Sequence, residues 1–139
     1  MGATYAKLKL ANSGDVSAAR RGIMAPEQVR RMEVKVLVAS GADDLIINGE
    51  IRAQLGLETD EEISVNLADG SVVKCERLEP VEIRFENRRT VVCPLMLPGG
   101  NEPLLGALPI EAMDVLIDLK NQKLMVNPAH PNSPMFHIR

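Results

Sequence analysis

The sequence predicts a mainly β fold, a barrel or sandwich of at least eight short strands with two short helices. Three observations predict it. Apolar residues alternate with period two in short runs, the pattern of strands with one buried face. Ten Gly and nine Pro interrupt those runs at close intervals, as a fold with many turns requires. Helix signals, a capping residue followed by apolar residues on one face, are confined to short stretches.

Taken in order, Thr4–Leu10 alternates and reads as the first strand, and Asn12-Ser13-Gly14-Asp15 reads as a turn. The segment from Val16 to Pro26 has room for a helical turn, and Pro26-Glu27-Gln28-Val29 resembles a helix start. Met32–Val38 is a strand with Met32, Val34, Val36 and Val38 on one face. It ends in the small-residue loop Ala39-Ser40-Gly41-Ala42, and Leu45-Ile46-Ile47 follows as a strand. Asn48 caps a helix over Glu50–Leu55, ended by Gly56. Ile63, Val65 and Leu67 alternate, Asp69-Gly70 turns the chain, and Ser71-Val72-Val73 returns. Val81–Phe85 and Thr90–Val92 form a second hairpin around Glu86-Asn87-Arg88. Leu104-Leu105-Gly106 ends an apolar strand, and Pro109 opens a helix containing Ile110 and Met113. Val115–Asp118 and Lys123–Val126 make the last hairpin, turning at Lys120-Asn121-Gln122. A tail broken by Pro128, Pro131 and Pro134 is expected to be extended or mobile.

The 139 residues suit one domain, 1–139, with a core over about 30–128, an N-terminal strand and connecting segment over 1–29, and a Pro-rich tail over 129–139. Apolar residues make up 45% and aromatics only 2%, so Val, Leu, Ile and Met must fill the core. The net charge of -3, without a basic block or a stacking pattern of aromatics, argues against a nucleic-acid partner. Arg20-Arg21 and Arg88-Arg89 read as solvated surface. No apolar run approaches the roughly 18 residues of a membrane span, and Met1–Leu10 lacks a signal-peptide core. A soluble, cytoplasmic chain is the expectation. Cys75 and Cys93 lack zinc or disulfide spacing and read as free thiols. His130 and His137 lie in the tail and read as solvated, so neither a metal nor a cofactor is expected.

The stretch that carries chemistry is Val36-Leu37-Val38-Ala39-Ser40-Gly41-Ala42-Asp43-Asp44-Leu45. A glycine-bearing hairpin, Leu67-Ala68-Asp69-Gly70-Ser71-Val72, comes after it, then Leu104-Leu105-Gly106, then a short helix. In this order the features resemble the retropepsins, the retroviral-type aspartic peptidases. Their loop runs Asp-Thr/Ser-Gly-Ala, and every position fits except Ala39, which stands at the catalytic aspartate. Viral members follow the apolar-apolar-Gly signature with Arg-Asn or Arg-Asp. Here Ala107-Leu108 follows, which removes the usual arginine partner of Asp43 and points to the cellular and bacterial branch. Ala19-Arg20-Arg21-Gly22-Ile23 also resembles bacterial members.

The resemblance implies a closed, single-lobed β-barrel of the acid-protease type, a homodimer, and an extended peptide or protein as substrate. It implies catalytic positions at Ala39, Ser40 and Gly41. It implies substrate contacts from Ala42, Asp43, Asp44, the flap residues Leu67, Ala68, Asp69, Gly70 and Ser71, and from Leu104 and Leu105. In such enzymes two carboxylates about 3 Å apart share one proton and activate a water between them. Each chain supplies one, so a two-fold dimer is required. Ser40 would bond across the two-fold axis, and Gly41 would allow a close backbone approach. Ala39 can neither accept a proton nor orient water, so this chain is expected to be inactive. Ala39 reads first as an introduced replacement of the aspartate. A natural pseudo-peptidase that binds peptide or dimerises is the alternative, and a small β-barrel adaptor with a chance likeness in its loop is a third.

Overall fold

A computed structural model of the chain describes residues 2–99 and 102–138; of the expected 1–139 unit, Met1, Gly100, Asn101 and Arg139 lie outside the described residues. The chain opens with β1 (Tyr5–Asn12) and α1 (Ser13–Arg20), a 3-10 turn at Pro26–Gln28, and β2 (Arg31–Val38). Then come β3 (Leu45–Ile47), α2 (Gly49–Leu55), β4 (Thr59–Asn66), β5 (Val72–Leu78), β6 (Val81–Phe85), β7 (Arg88–Val92) and β8 (Leu95–Met96). The last elements are β9 (Leu104–Leu105), α3 (Ala107–Ala112), β10 (Val115–Asp118) and β11 (Lys123–Val126).

Nine strands form one sheet in the order β4-β5-β8-β3-β9-β2-β1-β6-β7, and β10 pairs with β11 apart from it. That order is linear, with β4 and β7 at its edges, so the pairing of the described strands does not form the closed ring expected from the sequence. Among the described residues the fold is mainly β, with three short α-helices rather than two.

The extra helix is α1. Asn12-Ser13-Gly14-Asp15 is not a free turn but a helix start, because the Asn12 side chain accepts from the Asp15 N–H at 3.1 Å. The same side chain donates to Leu55 O at 2.8 Å, joining the start of α1 to the end of α2. Buried Asp15 accepts Arg30 Nε at 2.8 Å and Nη2 at 2.9 Å, and these hydrogen bonds hold its carboxyl below the ordinary range. On the inner face, Leu8, Leu10, Val36, Leu45, Leu78 and Ile83 are fully or almost fully buried. Each buried aliphatic side chain stabilises the fold by about 1.5–3 kcal/mol relative to exposure.

Arg88 departs from its expected place on the surface. It is 1% exposed, because the hairpin turns on Glu86-Asn87 alone and pairs Phe85 with Arg88, which puts Arg88 on the inner face. Its guanidinium donates to Asp114 O at 3.4 Å and to His130 O. Asp114 is the hub of this corner. It accepts Asn127 Nδ2 at 3.0 Å and the Met135 N–H at 3.0 Å, and lies 2.8 Å from His130 Nδ1. His130 is therefore held rather than solvated, and the tail, though irregular, is pinned at 127–135.

Hydrogen bonds from Asn127 and Met135 lower the Asp114 carboxyl from the usual 3.8 to about 2. A depressed folded value contributes stability that is complete above the unfolded value and is lost as the pH falls through about 2. Acidification should therefore release the tail. Asp114→Asn should release it at neutral pH, read as faster amide exchange at Met135. Unchanged exchange in that variant would show that the tail is held elsewhere.

Candidate active-site loop

The loop 39–44 owes its shape to a strand that arrives from far along the chain. β9 lies between β2 and β3, parallel to the first (Leu37↔Leu104, Val38↔Leu105) and antiparallel to the second (Leu45↔Leu105, Ile46↔Leu104). The chain therefore leaves β2, crosses the end of β9 and returns as β3. Ala39 N–H donates to Leu105 O at 2.9 Å, and Ala42 N–H to Ala39 O at 3.1 Å, a tight turn with Ser40 and Gly41 exposed at its corner. Ala107 N–H donates to Ala42 O at 2.7 Å and Leu108 N–H to Asp43 O at 3.0 Å. The first turn of α3 thus satisfies its N–H groups on the loop's carbonyls.

Gly106 is the residue on which this crossing depends. A Cβ there would lie 2.5 Å from Asp44 O, 2.6 Å from Asp43 C and 2.8 Å from Ala42 O, all backbone atoms. The close approach expected at Gly41 does not arise within one chain, where a Cβ at Gly41 would meet nothing within 4 Å. Leu104 and Leu105 serve the sheet: Leu105 is fully buried and Leu104 half-buried. Of the two aspartates, Asp43 is exposed and Asp44 half-buried.

Arg77 of β5 is the partner that the sequence did not point to. Its Nη1 donates to Asp44 Oδ1 at 3.2 Å and to Cys93 O at 3.0 Å. An arginine from the β4–β5 hairpin thus reaches the loop where the residues after Gly106 supply none. Both side chains remain about a quarter exposed (26% and 29%), so the pair is worth about 1 kcal/mol or less. Arg77→Met and Asp44→Asn should each cost that much in urea denaturation, and the double variant no more than either alone. Additive losses would show that the two side chains are uncoupled.

The β4–β5 hairpin is well formed and largely exposed. Leu67 N–H donates to Ser71 O at 2.8 Å and Gly70 N–H to Leu67 O at 2.9 Å, closing the tip. Gly70 takes φ 87° there, which suits glycine. Ser71 N–H bonds Asp69 Oδ1 at 2.9 Å, and the Ser71 hydroxyl and N–H together hold the Asp69 carboxyl below its ordinary value. Leu67, Ala68, Asp69, Gly70 and Ser71 are all exposed, and among the described residues no hydrogen bond joins them to the loop. The hairpin's base is fixed: Arg52 of α2 bonds Thr59 at 2.8 Å and Glu76 at 3.3 Å.

Cys75 and Cys93 are both free, the first buried and its thiol pushed up by burial. Among the described residues no three His, Cys, Asp or Glu side chains converge as metal ligands, and no helix is long and apolar enough to cross a membrane.

No protein-family model and no curated protein matches the chain. Among solved structures, it is similar to the retroviral protease-like domain of Ddi1 from Leishmania major. The TM-score is 0.56 at 14% identity, over 92% of this chain and 90% of that one. The fold is that of a retroviral protease-like domain. Within this fold the loop 39–44 packs on Gly106 at the end of β9, and Arg77 ties the β4–β5 hairpin to Asp44. At Ala39 the loop presents a methyl group, which has no proton to give or take.

Proposed function

We propose that this chain is the scaffold of a retropepsin-type aspartic endopeptidase, working as a homodimer and silenced at Ala39. The observation that carries this is the packing of Gly106 against the backbone of 42–44, which holds a Ser40-Gly41 corner out to solvent at the end of β2. A second copy packed about a two-fold axis would bring the two corners together, with Ser40 bonding across and Gly41 giving room. The exposed β4–β5 hairpin would act as the flap, adding a strand to a bound extended peptide. Ala42, Asp43, Asp44 and the tip residues 67–71 would contact that peptide. Replacing Ala39 by aspartate in both chains would restore a carboxylate pair able to share a proton and activate water.

The test is cleavage of a mixed peptide pool by Ala39→Asp protein beside the Ala39 chain, with and without pepstatin, from about pH 4 to 7. Pepstatin-sensitive cleavage in the aspartate form alone supports the proposal. Silence in both from folded dimers favours the second reading, a peptide-binding or dimerisation module without chemistry. The exposed and undamaged hairpin is the observation on that side.

A further inference from the structure

Away from the loop, the outward face of β2-β1-β6-β7 carries its charges in an arrangement that sheet stability disfavours. The register sets Lys7 opposite Lys35, Lys9 opposite Arg84, and Arg84 opposite Arg89. All five are exposed. Directly opposed side chains have Cβ atoms about 4.5–5.5 Å apart, where like charges repel and opposite charges stabilise. Three cation-on-cation pairs therefore lie on one face, two of them in a continuous row across three strands. Arg31 extends the face on β2, and Lys9, Arg31 and Arg84 border a depression of about 300 Å³ together with Glu33, Glu82 and the apolar Leu10, Ala11 and Met32.

The carboxylates present offset this array only in part, since Arg84 and Arg89 share the single charge of Glu82. Glu82 is nearly buried and is already held twice, by Arg84 Nε at 2.8 Å and Arg89 Nε at 2.6 Å. Glu33 lies opposite Lys9, and Glu86 sits at the hairpin rim. Among the described residues Lys7, Lys9 and Arg31 make no ion pair, while Lys35 Nζ rests 4.7 Å over the Tyr5 ring. This excess of positive charge stands on a chain whose net charge is -3.

We propose that this face docks an extended acidic segment of a partner protein. Outward side chains on one strand recur about every 6.5–7 Å, the spacing at which an extended polypeptide presents every second side chain. Such a segment can set carboxylates at the levels of Lys7 and Arg31 and a neutral residue at the level between them, where Lys9 stands opposite Glu33. An uninterrupted phosphate chain cannot avoid Glu33. The ring of Tyr5 is covered by Lys35, which leaves no free aromatic platform here for stacking bases. The surface does not depend on the peptidase proposal, and its test leaves the loop 39–44 untouched.

The experiment is titration of the full chain with a labelled peptide of repeating Glu-Ser-Ser-Ser, which alternates Glu and Ser on one face of an extended chain, a Lys-Ser-Ser-Ser peptide serving as the control. The acidic peptide should bind and weaken about tenfold or more between ~0.05 and ~0.3 M salt as screening shortens. Lys7→Glu converts a like-charge pair into an opposite-charge one, so it should keep or raise Tm while weakening binding at least about tenfold. Absence of binding, or binding unchanged by Lys7→Glu, overturns the proposal. So does tighter binding of a single-stranded oligonucleotide or of anionic phosphatidylserine vesicles than of the acidic peptide.

Discussion

On the proposed function, Ala39→Asp is expected to give a peptidase, with a gain of about four to six orders of magnitude over the Ala39 protein. The size reflects the chemistry that a methyl group lacks. Without a carboxylate neither a general base nor a general acid stands at the corner of the loop, and a homodimer loses both together. In the proposed dimer the two aspartates would stand about 3 Å apart and could not both ionise, so they would titrate as a pair. Activity should then fall once the pH is high enough to ionise both, and again when both are protonated, giving a bell-shaped profile. The same crowding predicts a weaker dimer for the aspartate form at neutral pH, measured by sedimentation beside the Ala39 chain. A tighter dimer in the aspartate form would contradict the idea that the two loops meet at this position. Flat, pepstatin-insensitive cleavage would place the chemistry elsewhere.

Much of the fold is legible in the sequence because its signals are local. The alternation in Met32–Val38, the Asn48 cap and the Asp69-Gly70 turn each resolve within a few residues, and each stands where the sequence puts it. Asn12-Ser13-Gly14-Asp15 misleads because the same residue types serve a turn and a helix start. The residues of the next two turns decide between them, and α1 has no clean apolar stripe, with Asp15 its one buried residue. Arg88 misleads through a single residue of turn length: a three-residue turn ends at Arg88, whereas the two-residue turn puts Arg88 opposite Phe85 and inside. A strict two-residue hairpin would have predicted it. Within the candidate site, the order of motifs is visible in the sequence but the contacts between them are not. Arg77 and Asp44 stand 33 residues apart, and nothing in their neighbourhoods announces the pair. β8 is only two residues long, too short for any periodicity, yet it joins β5 to β3 and so brings Arg77 to the loop.

Gly106→Ala should destabilise the chain by about 3 kcal/mol or more, at the upper end of overpacking costs, while Gly41→Ala stays within about 0.5 kcal/mol in the same urea denaturation. The contrast comes from the surroundings of each position. At Gly106 the added methyl meets the backbone of 42–44 at 2.5–2.8 Å, and backbone has no rotamer by which to yield. Relief requires the loop to lift, which breaks the bonds from Ala107 to Ala42 and from Leu108 to Asp43 and leaves α3's first N–H groups unpaired. For a domain with roughly 5–15 kcal/mol in hand, that is a large share. At Gly41 the methyl enters open space, and the backbone there is not in the left-handed region. A second copy changes the expectation for Gly41 alone: if two loops meet at their Ser40-Gly41 corners, Gly41→Ala weakens self-association while leaving the monomer's stability intact. Sedimentation of the Gly41→Ala chain thus reads the dimer separately from the fold. Unimpaired dimerisation in that variant would move the two-fold contact away from the loop. A stability loss at Gly41 equal to that at Gly106 would mean that the corner is packed within its own chain.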